Sequence, residues 1–152
     1  MSDETPNQSK VEANLDLVRK FYEGYGSHDM DKIRETLADD VTWLIPGHHA
    51  LAGLKRGADE IVAYFDIISE ANFQAEVLSL SANEDSVVDV HRGWGHYGDA
   101  SLDIHWVLWY RIRDGKIAEV ENFALDGHAA DLFFWTVWGD RLKPIPDRLI
   151  DA

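Results

Sequence analysis

Apolar residues recur at helical spacing from the start of the chain: Val11, Leu15, Val18, Tyr22 and Tyr25, with Leu17 and Phe21 widening the stripe. The spacing predicts a first helix that weakens at Gly24 and Gly26. Asp29 is placed to cap a short second helix carrying Met30, Ile33 and Leu37 on one side. Val41 to Ile45 reads as a short extended run stopped by Pro46-Gly47. A loop containing Gly53 and Gly57 then leads to a third helix near Asp59 to Ser69, with Ile61, Phe65 and Ile68 inward.

The period changes in the second half. Phe73 to Ser81, Ser86 to Tyr97, Ser101 to Ile112 and Lys116 to Ala124 are rich in Val, Ile, Trp, Tyr and Phe and read as strands. Asp114-Gly115 is a strong hairpin signal, because both turn residues must accept positive φ; Gly98-Asp99 is a weaker one. Helical intervals return from His128 to Trp138, and Pro144 and Pro146 end any helix there. Helices first and an antiparallel meander afterwards indicate an α+β fold. The polar segment 1–10 is expected to be a disordered tail, 11–140 the folded domain, and 141–152 a tail that packs on the domain or frays.

Composition narrows the function classes. The chain has 152 residues, 45% of them hydrophobic and 28% charged, enough for one domain with a sizeable core. A formal net charge of -14 would repel phosphate backbones and anionic lipids, so neither nucleic acid nor a membrane is an expected partner. The absence of cysteine removes disulfides, thiolate metal sites and a Cys nucleophile. No apolar run approaches membrane-spanning length, and the default expectation is a cytoplasmic protein. No His pair has helical metal-ligand spacing with a supporting Glu, and no phosphate-cradling or dinucleotide glycine pattern is present. Neither a metal nor a cofactor is expected.

Several segments resemble the SnoaL-like branch of the nuclear transport factor two-like superfamily. Leu37-Ala38-Asp39-Asp40-Val41-Thr42-Trp43 followed by Pro46-Gly47 is similar to that family's first strand and its exit. Leu51-Ala52-Gly53 with Arg56-Gly57 resembles the loop into its third helix, and Tyr110 to Ile117 its penultimate hairpin. Asn122-Phe123-Ala124-Leu125-Asp126, then Asp131 and Phe134-Trp135, resembles the closing strand and terminal segment. The resemblance spans Val11 to Trp135. It implies a cone-shaped barrel, a curved and mostly antiparallel sheet wrapped around the N-terminal helices with a central apolar pocket. Family members include isomerases, cyclases, dehydratases, epoxide hydrolases and non-catalytic binders, so function has to be argued from the pocket.

Several familiar catalytic positions of the family are apolar here. The resemblance aligns Phe21 with the first-helix Tyr of ketosteroid-isomerase-like members, Ile45 with their base Asp and Leu108 with their oxyanion-binding Asp. Asn122 stands where epoxide-hydrolase-like members carry a water-activating carboxylate, and Val87 where they carry an Arg. What remains is Asp89 and His91, two apart on one strand and so on one face. An Asp beside a His can orient the imidazole as a general base. Asn122 is then available to hydrogen-bond a substrate oxygen. Trp43, Phe65, Trp106 and Leu108 are expected as apolar walls, with Phe21, Tyr25 and Ile45 completing the lining. His49 in the loop after Pro46-Gly47 is a candidate mouth residue, and Asp126 either reaches the rim or caps the last helix. Asp103, His105, Trp109 and Arg111 fall on the opposite sheet face, where a large Trp favours pairing of two subunits as a homodimer. The expected function is a cofactor-independent lyase, isomerase, cyclase or hydrolase acting on a small hydrophobic oxygenated molecule. The alternatives are a non-catalytic binder of such a molecule and a homodimeric interaction module.

Overall fold

The computed structural model describes residues 7–140. The first helix, α1, spans Gln8–Ser27 and begins three residues ahead of the expected start. Asn7 explains this: its side chain accepts the N–H groups of Ser9 and Lys10, satisfying donors that the first turn leaves open. Of the expected N-terminal tail 1–10, residues 8–10 are therefore helical, while residues 1–6 and the expected C-terminal tail 141–152 lie outside the described residues. α1 ends at His28 in the left-handed region (φ 55°), and the N–H of Asp29 bonds the carbonyl of Gly24 at 2.8 Å. Gly24 also lets the second helix approach closely, since a Cβ there would stand 3.0 Å from Ile33 Cγ1. That helix, α2, spans Met30–Thr36 and is capped by Asp29, which accepts the N–H of Lys32.

Strand β1 runs over Leu37–Ile45, four residues earlier than the sequence pattern placed it. Leu37, expected on the second helix, is already extended there (ψ 141°). The loop expected around Gly53 contains a short strand, β2 (Gly53–Arg56), which pairs antiparallel with β1. Helix α3 follows at Gly57–Ser69, and the strands β3 (Gln74–Ala82), β4 (Ser86–Tyr97), β5 (Ala100–Arg113) and β6 (Lys116–Ala124) form the expected meander. Asp114 and Gly115 both have positive φ, as the β5–β6 hairpin requires. Helix α4 (Gly127–Trp138) closes the described chain.

The six strands lie in the order β2-β1-β6-β5-β4-β3, antiparallel throughout except where β1 runs parallel to β6. The sheet stays open, with β2 and β3 at its edges, and so is a curved α+β sheet and not a closed barrel. One face of it is buried together with α1, α3 and α4. Val41, Trp43 and Ile45 of β1, Val87 of β4, and Trp106, Leu108 and Tyr110 of β5 meet Val18 and Phe21 of α1 and Phe65 of α3 in one core. On the other face Trp94 and Trp109 are not bare. The Arg92 guanidinium lies 4.3 Å above one indole and that of Arg111 4.1 Å above the other, each Arg also held by strand carboxylates.

Two glycines of β4 admit the aromatic layer above them. A Cβ on Gly93 would meet Trp106 at 2.7 Å, and one on Gly95 would meet Phe73 Cδ2 at 2.5 Å and the Ala71 carbonyl at 2.9 Å. Phe73 rests against bare backbone because nothing projects from position 95. Gly95→Ala is therefore expected to destabilise the fold by about 1–3 kcal/mol through overpacking, read as a lower midpoint in denaturant unfolding; an unchanged midpoint would contradict the close approach.

Candidate active site

The antiparallel register sets the site out in rows across the buried face. Val87 of β4, Tyr110 of β5, Val120 of β6 and Trp43 of β1 form one row. Asp89, Leu108 and Asn122 form the next, and His91, Trp106 and Ala124 the one after. Adjacent strands are about 4.8 Å apart and alternate residues about 6.7 Å apart along a strand. The Asp89-x-His91 spacing thus puts carboxylate and imidazole side by side, with Asn122 across the floor of the pocket.

Asp89 has no exposed surface, and three groups bond its carboxylate. His91 Nδ1 lies 2.7 Å from Oδ1, while Oδ2 accepts the hydroxyls of Tyr22 at 2.6 Å and Tyr110 at 2.7 Å. The Tyr22 hydroxyl also lies 3.2 Å from His91 Nδ1 and 3.3 Å from the Tyr110 hydroxyl. Burial of a carboxylate is tolerated only when its lone pairs are used, and these donors use them. An imidazole that gives its Nδ1–H to Asp89 carries its free lone pair on Nε2, which takes no bond from the described residues. Burial, followed by the nearby Asp89 charge, drives the Tyr22 phenol well above its ordinary range; burial, followed by Tyr22 and Asp89, does the same to Tyr110. Both phenols therefore stay protonated and act as donors.

His91 borders an apolar pocket of about 60 Å³. Phe21, Tyr22 and Tyr25 line it from α1, Tyr64, Phe65 and Ile68 from α3, Trp106 and Leu108 from the floor, and Phe134 from α4. Trp43 and Asn122 complete the wall, and Trp43 Nε1 and Asn122 Oδ1 are buried with no hydrogen-bond partner among the described residues. A larger hollow of about 620 Å³ shares Tyr22, Tyr25, Phe73, Gln74 and Ala75 with this pocket, and both are partly open to solvent. The Tyr25 hydroxyl donates to the Phe73 carbonyl at 3.0 Å across this boundary. Among the described residues no three His, Asp or Glu side chains gather in a way that could hold a metal ion.

The sequence-derived candidates fall into two groups. His91, Asn122, Trp43, Tyr25, Phe21, Phe65, Trp106 and Leu108 line the pocket, and Asp89 stands directly behind His91. Three others do not line it. Ile45 is packed in the core, the next inward position of β1 beyond Trp43. His49 is buried in the β1–β2 connection, stacked on Phe134 with ring centroids 4.4 Å apart, and accepts the Leu51 N–H on Nδ1. Asp126 caps α4 by accepting the Ala129 N–H at 3.0 Å.

Sequence reasoning missed Tyr22 and Tyr110 as polar members of the site. The first helix does deliver a phenol to the site, from Tyr22 beside Phe21, one residue later than the resemblance placed it. Tyr110 shares its strand face with Leu108, and a buried Asp on the adjacent strand requires donors of this kind.

These bonds predict a cost for each phenol. Tyr22→Phe and Tyr110→Phe should each destabilise by about 1–3 kcal/mol, by leaving a buried carboxylate one donor short. The double variant should be non-additive by at least about 0.5 kcal/mol in denaturant unfolding; strict additivity would mean the two hydroxyls do not share an acceptor. Alkaline pH gives the second check. The folded-state phenols of Tyr22 and Tyr110 lie above the unfolded value of about 10, so stability is complete below that value. It falls as pH rises past it, by about 1.4 kcal/mol per pH unit for each tyrosine until the folded phenol ionises. Unfolding free energies measured between pH 9 and 11 should show this slope, and the Phe variants should flatten it.

Residues 18–120 match the family model of the SnoaL-like domain. An uncharacterised protein of Mycobacterium tuberculosis is 30% identical over 127 residues, covering 81% of this chain and 97% of that one. Among solved structures, Bal32a from a soil-derived mobile gene cassette superposes with a TM-score of 0.79 at 26% identity, over 82% of this chain and 98% of that one. An LEH-like epoxide hydrolase of M. tuberculosis shares the fold at a TM-score of 0.67 and 14% identity, over 86% of this chain and 98% of that one. With more than half of its length matched by the family model, and the expected open α+β sheet in place, the chain belongs to the SnoaL-like family.

Proposed function

We propose that this protein is a cofactor-independent enzyme that moves a proton on a small, largely apolar, oxygenated molecule. The observation that carries the reading is the 2.7 Å contact between His91 Nδ1 and the fully buried Asp89 carboxylate at the wall of an apolar pocket. In this role Nε2 removes the substrate proton, and the imidazolium that forms is stabilised by the negative charge behind it. Tyr22 and Tyr110 act through Asp89 by holding its second oxygen, which makes them positioning residues. Asn122, across the pocket floor, hydrogen-bonds a substrate oxygen. Elimination, isomerisation and cyclisation can begin with such a transfer; in hydrolysis the same nitrogen would take its proton from the attacking water. Fold likeness to an epoxide hydrolase is in keeping with this range.

A binding protein without turnover is the second reading. It is favoured by the tightness of the pocket, whose 60 Å³ falls below the roughly 150 Å³ of an apolar cavity known to hold benzene. A ligand with a ring would have to displace pocket side chains or place part of itself in the outer hollow.

A chemical probe separates the two. 5-Nitrobenzisoxazole loses its C3 proton to a base as its N–O bond breaks, giving a coloured cyanophenolate without any cofactor. The wild-type protein should accelerate this above the buffer rate. His91→Gln, which retains a donor for Asp89 but no base, should lower kcat/KM by about 100-fold or more with the fold intact by circular dichroism. Turnover by the Gln variant at the wild-type rate would remove His91 from the mechanism, and saturable probe binding with no turnover by either protein would select the binding reading.

A further inference from the structure

Two residues lining the pocket each carry a buried polar atom that the general-base reading does not use. In it Asn122 bonds a substrate oxygen through its N–H groups, which leaves its Oδ1, like Trp43 Nε1, over. Trp43 Nε1 is a donor and Asn122 Oδ1 an acceptor, and neither has a partner among the described residues. Trp43 pairs with Val120 across β1 and β6, and Asn122 lies two residues further along β6 on the same face. Their Cα atoms are therefore about 8 Å apart, one strand over and two residues along. Trp43 is otherwise enclosed by aromatic rings, with Phe21, Phe65 and Tyr110 centroids 5.4 to 6.1 Å away. Asn122 faces Leu108 on β5. Surroundings of this kind favour apolar residues, so an unpaired donor and an unpaired acceptor at diagonal positions of one sheet face are a standing cost to the fold.

Charge limits what can satisfy them. None of the residues lining the pocket is Lys, Arg, Asp or Glu. The nearest fixed charge is the Asp89 carboxylate behind His91, and the chain as a whole carries a formal charge of -14. An anionic ligand would enter an apolar space beside a buried negative charge with no cation to meet it.

We propose that Trp43 and Asn122 form a paired recognition site for a neutral ligand that presents a hydrogen-bond acceptor next to a donor on one edge, as in a lactam, an enolised diketone or a hydroxy-ketone. The indole N–H donates to the ligand oxygen and the Asn122 carbonyl accepts the ligand O–H or N–H. The inference rests on the functional reading above and specifies its substrate class: uncharged, edge-polar and flat enough for aromatic walls. Carboxylates and phosphates are excluded. Removing one of the two ligand groups strands a buried protein atom, which is how a site rejects near-isosteres strongly.

The test uses 2-pyridone, a flat neutral lactam, as the probe, with N-methyl-2-pyridone and benzoate as controls. Binding is followed by the Trp43 indole N–H resonance, assigned by its loss in Trp43→Phe. 2-Pyridone should shift this resonance saturably, and both controls should bind at least tenfold more weakly. Trp43→Phe, followed by a remaining indole or by calorimetry, and Asn122→Leu should each weaken 2-pyridone by about tenfold. Asn122→Leu should meanwhile leave the melting temperature unchanged or raise it, because it replaces an orphaned acceptor with an apolar group facing Leu108.

Absence of saturable 2-pyridone binding, equal affinity for the N-methyl analogue, or benzoate binding as tightly would each overturn the proposal. So would a lower melting temperature for Asn122→Leu with binding unchanged, which marks a structural residue. The two readings fail separately: selective 2-pyridone binding by a protein that does not turn over 5-nitrobenzisoxazole sinks the general base and keeps this site. Turnover without lactam selectivity does the reverse.

Discussion

A carboxylate with no exposed surface constrains everything around it. Asp89 sits on the buried face of the sheet, on β4, one strand in from the β3 edge, and transferring its charge from water would cost several kcal/mol without compensation. Compensation comes from three directions: a phenol from α1, a phenol from β5 and an imidazole from its own strand. Each donor fixes something larger. Tyr22 ties the first helix over the sheet, Tyr110 pins the row that ends at Trp43, and His91 is turned so that one ring nitrogen faces inward to Asp89. The placement of α1 against β4 and β5 and the orientation of the imidazole meet at this one buried charge, within a core that is otherwise apolar.

The donors are neutral, and this matters for chemistry. An Arg or Lys in place of the tyrosines would cancel the charge of Asp89. Phenols satisfy its lone pairs and leave the charge in place, available to the imidazolium of the proposed mechanism. Burial keeps both phenols protonated, so the support does not weaken across the physiological range. The same electrostatics set the character of the pocket. A negative charge behind one wall and apolar rings on the others suit a neutral ligand.

Most of the fold was legible in the sequence because its elements are long and their periods clear. The β5–β6 hairpin follows from Asp114-Gly115, and α1, α3 and α4 from their apolar stripes. What was hidden is short or ambiguous. β2 has only four residues and two of them are Lys55 and Arg56, so no alternation can develop. Leu37 fits the apolar stripe of the second helix, so periodicity alone starts the strand at Val41; the resemblance to the family's first strand and the pairing with β6 carry it back to Leu37. In the site, the Asp89–His91 pair was legible because it is local, two residues apart on one strand. Tyr22 and Tyr110 were not, because their polar role depends on an acceptor 67 and 21 residues away while their rings fit the apolar stripe. His49 read as a candidate mouth residue, and nothing local signals that it is buried and stacked on Phe134 instead.

The central claim is that Asp89 holds His91 as the Nδ1–H tautomer, leaving Nε2 bare at the pocket wall. Long-range proton–nitrogen NMR correlations on the imidazole of uniformly labelled protein read this directly, with His91→Gln identifying the resonances. The account predicts a protonated Nδ1 and an unprotonated Nε2 of neutral imidazole in the ligand-free protein, a pattern that Asp89→Asn disturbs. A proton found on Nε2 with Nδ1 bare, unaffected by the Asn substitution, would contradict it.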